Sequence, residues 1–139
     1  MTADPRRVMV ADLAARIAAG LAGRVRAYEA AAGRAQGDLQ RALADLGRAK
    51  HTQAADLAPL ARALGVPSPV LPAATSAGTN PDWGVVLGEA FQDERTLEEM
   101  SRELALLTVD PAVQALSARL AAAAGRDGRE VRKLYLRYT

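Results

Sequence analysis

The sequence predicts an all-α protein, a four-helix bundle formed as a single domain over residues 1–139. Three observations carry that expectation. The chain holds 32 alanines among 139 residues and only 4% aromatics, a composition of strong helix formers. Apolar residues recur at steps of three and four through long stretches, the period of an amphipathic helix, and no run alternates as a half-buried strand does. Two Asp-Pro pairs, Asp4-Pro5 and Asp110-Pro111, pair a capping side chain with a proline at the first helical position.

The elements follow in order. A first helix is expected over 5–33, its stripe reading Val10, Leu13, Ile17, Leu21, Val25 and Tyr28. Gly33 and Gly37 bracket a turn, and Asp38 is the expected cap of a second helix over 38–64. That helix carries Leu39, Leu43 and Leu46, then Lys50 and Gln53, then Leu57, Leu60 and Leu64 on one stripe. Pro59 has no N–H and crowds the preceding turn, so a kink or break is expected near 55–58, and Gly65 ends the helix. Residues 66–81 hold four prolines and a glycine and cannot continue it. A third helix is expected over 82–108, with Trp83, Leu87, Ala90, Glu94, Leu97, Ser101 and Leu104 in line. A fourth, over 111–136, lines up Val113, Leu116, Leu120, Ala123, Asp127, Val131 and Leu134.

Short turns near 33–37 and 108–111 make two helical hairpins, and the long segment 66–81 is a crossover between them. That order, up, down, down, up, separates ferritin-like bundles from simple up-and-down ones. In helix order and length nearly the whole chain resembles the ferritin-like and rubrerythrin-like family. The second helix, DLQRALADLGRAKHTQAADLAPLARALG, resembles the family's second helix, and the fourth resembles its repeat. The resemblance implies a diiron site fed by one Glu on each of the first and third helices and a Glu-x-x-His on each of the second and fourth. A plain up-and-down bundle, or a helical hairpin that dimerises, is the alternative architecture.

Set against that ligand set, the sequence is depleted. Two divalent ions bring charge that several inward carboxylates must balance. The first-helix stripe offers none, and Glu29 falls near the hairpin turn. On the second helix the Glu-x-x-His slot falls on Lys50 and Gln53, or on Arg48 and His51 if the single histidine is anchored. Glu94 keeps an inward position on the third helix, and the fourth carries Asp127 and Glu130 at spacing three. No metal is therefore expected. Glu94, Asp127, Glu130 and His51 are the candidate ligands of the alternative in which iron binds. Lys50, Gln53, Glu94 and Asp127 are expected to form a buried polar cluster, the lysine reaching across the bundle into the space that metals would fill.

Other chemistry is missing. The chain has no cysteine, hence no thiolate ligand or nucleophile, and no phosphate loop or serine-nucleophile motif. Charge divides unevenly, +4 over 1–64, −6 over 65–110 and +4 over 111–139. Among the acids, Glu89, Asp93, Glu98, Glu99 and Glu103 read as a solvated face, with Glu98 paired to Arg102. Arg126, Arg129, Lys133 and Arg137, interleaved with Tyr135 and Tyr138, form a basic run that is short for nucleic-acid binding. No stretch is apolar enough to span a bilayer. The expectation is a cytoplasmic, non-enzymatic scaffold or partner-binding module with an unknown protein partner or a homodimer. A diiron oxidase or iron-handling protein and a nucleic-acid-binding protein are the alternatives.

Overall fold

The computed structural model describes residues 4–69 and 81–139. It holds four helices, α1 (Pro5–Ala32), α2 (Gly37–Ala63), α3 (Trp83–Leu107) and α4 (Pro111–Tyr138), and no strand among the described residues. The chain is an all-α four-helix bundle.

Local chemistry sets most of the boundaries. Asp4 caps α1 by accepting the Arg6 N–H at 3.0 Å, and Asp110 caps α4 by accepting that of Ala112 at 2.9 Å. Asp82 accepts from Gly84 and Val85 and opens α3. The second helix departs from expectation. Its N-cap is Gln36, which makes no side-chain capping bond, and Asp38 lies inside the first turn, bonded to Arg41. The positive φ of Gly37, 61°, carries the chain into the helix two residues earlier than a cap at Asp38 would. At the far end Gly65, at φ 73°, takes the left-handed conformation of a Schellman motif. The Val66 N–H bonds to Ala61 O at 2.8 Å and the Gly65 N–H to Arg62 O at 3.1 Å, which satisfies carbonyls the helix leaves open.

Of the kink or break expected near 55–58, the break is absent, since α2 is continuous through Pro59. Ala55, whose carbonyl loses its partner to the proline ring, and Pro59 itself are both exposed, so water takes the place of the missing N–H. Part of the expected crossover, residues 70–80, lies outside the described residues.

The helix order around the bundle is α1, α2, α4, α3. Each helix packs on two neighbours, most extensively within the pairs α1–α2 and α3–α4, while α1 and α4, like α2 and α3, are diagonal and keep their backbones apart. Two apolar clusters fix the directions. One joins Val10, Leu13, Ile17 and Leu21 of α1 to Leu57 of α2, Leu97 and Leu104 of α3, and Leu116 and Leu120 of α4. The other joins Tyr28 and Ala31 to Leu39, Leu43 and Leu46, to Leu87 and Ala90, and to Val131. The start of α1 thus lies beside the end of α2, the end of α3 and the start of α4. The order is up, down, down, up, with every neighbouring pair antiparallel. The end of α2 and the start of α3 stand at opposite ends of the bundle.

Candidate functional site: a buried lysine-centred layer

Between the two apolar clusters lies one polar layer to which all four helices contribute. The stripes that bury leucines above and below are continuous through it. The same 3.6-residue period that drives Leu46 and Leu57 inward therefore drives Lys50 and Gln53 inward on α2, and likewise Glu94 on α3 and Asp127 on α4. Lys50 and Glu94 are fully buried, Gln53 and Asp127 nearly so, at 6% and 5% exposure.

Lys50 Nζ is the hub. It stands 2.5 Å from Glu94 Oε1 and 3.0 Å from Asp127 Oδ2, and donates to Gln53 Oε1 at 2.9 Å. Three oxygens thus surround the ammonium, two of them carboxylate oxygens at ion-pair distance. Gln53 closes the ring by donating from Nε2 to Asp127 Oδ2 at 2.9 Å. The second Glu94 oxygen accepts the Tyr28 hydroxyl at 2.7 Å, so α1 supplies a phenol to the layer. The Arg24 guanidinium, itself buried, lies over the Tyr28 ring at 4.6 Å and reaches Asp93 Oδ2 at 3.6 Å.

Burial dominates the electrostatics. It pushes the Glu94 carboxyl above the ordinary carboxylate range, against the opposing pull of Lys50 and of the Tyr28 hydrogen bond. It also pushes the Tyr28 phenol far up, helped by the neighbouring Glu94 charge. Tyr28 is therefore a fixed donor at any physiological pH.

The four cluster residues named from sequence, Lys50, Gln53, Glu94 and Asp127, are in contact. The candidate metal ligands are not. His51 is exposed on α2, and Glu130 is exposed on α4, where it pairs with Lys133 at 3.1 Å. No group of three or more His, Asp or Glu side chains among the described residues is placed to hold a metal ion. A dinuclear metal centre does not fit these residues, because the lysine nitrogen stands where cations would meet Glu94 and Asp127. Glu98, expected on a solvated face, is half-buried and pairs with Arg102 at 3.3 Å.

Sequence reasoning missed two members of the layer. Tyr28 reads as the last apolar residue of its stripe, yet a buried tyrosine requires a partner for its hydroxyl, and that requirement was the available signal. Arg24, one turn before Tyr28, falls beside the stripe and carries no comparable mark. No helix is long and apolar enough to cross a membrane among the described residues. Compared with protein-family models, with curated proteins and with solved structures, the chain matches none.

Proposed function

We propose that this chain is a ferritin-like bundle in which an internal lysine has taken the place of a dinuclear metal centre, and that it works as a non-enzymatic scaffold or partner-binding module in the cytoplasm. The observation that carries this reading is the position of Lys50 Nζ between Glu94 and Asp127, in a layer fed by all four helices. Support comes also from the up, down, down, up order with its end-to-end connection. The Lys50 ammonium is held among Glu94, Asp127 and Gln53, so the layer offers neither an open coordination position nor a free nucleophile. Exposed apolar side chains instead make a patch at each end of the bundle, Val8, Met9, Leu106 and Val109 at one and Val85, Tyr135 and Leu136 at the other. Such a patch suits a protein partner, a second copy of the chain among them.

Metal analysis of the purified protein, followed by anaerobic ferrous titration, tests the reading. Iron is expected to remain far below stoichiometric, and two tightly bound irons per chain would establish the iron-handling alternative instead. Retention on DNA that weakens steeply with salt would favour the nucleic-acid alternative.

A further inference from the structure

On the outer side of the α3–α4 pair a recess of about 230 Å³ is lined by Phe91, Arg95, Glu98, Gly125, Gly128, Arg129 and Arg132, with Glu94 and Ala124 below. Two glycines one turn apart on α4 leave out the side chains that would fill it. A Cβ on Gly125 would collide with the Glu98 carboxylate. Both acids at the recess already have cations, Glu94 with Lys50 and Glu98 with Arg102. The three arginines do not have acids. None of Arg95, Arg129 and Arg132 forms an ion pair among the described residues. Arg16, Arg41, Arg48 and Arg102 each take a carboxylate on their own helix, while Arg6, Arg7, Arg26, Arg62, Arg119 and Arg126 share the lack of an ion pair among the described residues, so what marks this place is the convergence of three arginines on one recess.

We propose that this recess is an oxyanion site for the phosphate group of a small molecule, with Arg129 and Arg132 of α4 and Arg95 of α3 as its donors. Guanidinium forks match phosphate oxygens in geometry and charge. Arg129 and Arg132 lie about one turn apart, roughly 5 Å along the axis, a span that one phosphate or a diphosphate bridges. The volume suits a phosphate with a small organic remainder resting on Phe91. The site shares no donor with the lysine layer, so it stands or falls independently of the metal-free reading.

The test is thermal unfolding of the whole chain at constant ionic strength, with inorganic phosphate, pyrophosphate or a nucleoside diphosphate added. A saturable rise in Tm is expected for the native protein, with apparent affinity at least about tenfold weaker in Arg129→Gln/Arg132→Gln. The control, Arg119→Gln/Arg126→Gln, removes the same charge from the α4 flank that faces α2 and is expected to keep the rise. Both variants alter exposed side chains, and circular dichroism checks that they fold. A nucleoside diphosphate that outperforms pyrophosphate assigns the phosphate to an organic ester, and equal response assigns it to the inorganic ion. A native protein with no saturable rise, or two variants weakened equally, would overturn the proposal, since the second result is diffuse attraction to a basic helix.

Discussion

At the scale of single residues, the lysine layer makes a sharp prediction. A buried ion pair is weak evidence for stability, but removing one partner strands the other. Lys50→Met leaves Glu94 and Asp127 buried, adjacent and without a cation, at an expected cost of about 3 to 5 kcal/mol. Arg48→Met, two residues away, loses only an exposed contact with Asp45 and should be nearly silent in the same urea titration. Equal effects would mean that the layer does not depend on its cation. Glu94→Gln should be milder, because Lys50 keeps Asp127 and the remaining pair is balanced. It should also change the pH dependence. With its carboxyl pushed up in the folded state, Glu94 holds its proton longer folded than unfolded. Its contribution is therefore fully present below the ordinary carboxylate range and declines as pH rises toward the raised value. The stability of native protein relative to Glu94→Gln should fall between pH 4 and pH 7, and a difference that rises over that interval would contradict the desolvation account.

Among the elements, the helices themselves were legible because each signal was local and redundant. Leu13, Ile17 and Leu21 could be placed on one face from spacing alone, and Asp4-Pro5 marks a start that no packing is needed to confirm. The polar half of the layer was legible for the same reason: Lys50, Gln53, Glu94 and Asp127 sit on stripes whose other members are mostly leucine, alanine and valine. What spacing cannot give is a partner across the bundle. That the Tyr28 hydroxyl turns to Glu94 depends on how α1 and α3 pack, and so does the burial of Arg24. The start of α2 went wrong for a different reason. Asp38 has the chemistry of a cap, but Gly37 permits a backbone turn that moves the cap to Gln36, whose backbone is extended, φ −132° and ψ 156°. Gln36 thus has the cap conformation without a side chain suited to it. Gln36→Asp should supply the missing acceptor and raise stability by about 1 kcal/mol, read as a higher urea midpoint at unchanged slope. No gain would mean that the first N–H groups of α2 are already satisfied.

For the whole molecule, topology sets a minimum length on the connection between hairpins. Residues 64–82 join helix ends that lie at opposite ends of the bundle, and α3, at 25 residues, is about 37 Å long. Deleting residues 70–80 leaves about eight residues, a reach of roughly 28 Å at full extension. The shortened chain should not close on itself, and light scattering should find exchanged dimers or larger species in place of a monomeric bundle. A monomer with native helix content would contradict the up, down, down, up order. The polar layer has a further effect at this scale. An interior built largely of alanine and leucine presents nearly the same relief every turn, so helices of this kind can slide past one another at little steric cost. Here a slip of α3 by about one turn would set Ala90 or Leu97 against the ammonium of Lys50, and the same slip of α4 would set Ala123 or Val131 there. The lysine and its two acids act as a keyed joint that admits one longitudinal alignment of the four rods. An all-leucine version of the layer, even if it melted higher, should lose that uniqueness and show the broadened side-chain resonances of several interchanging packings.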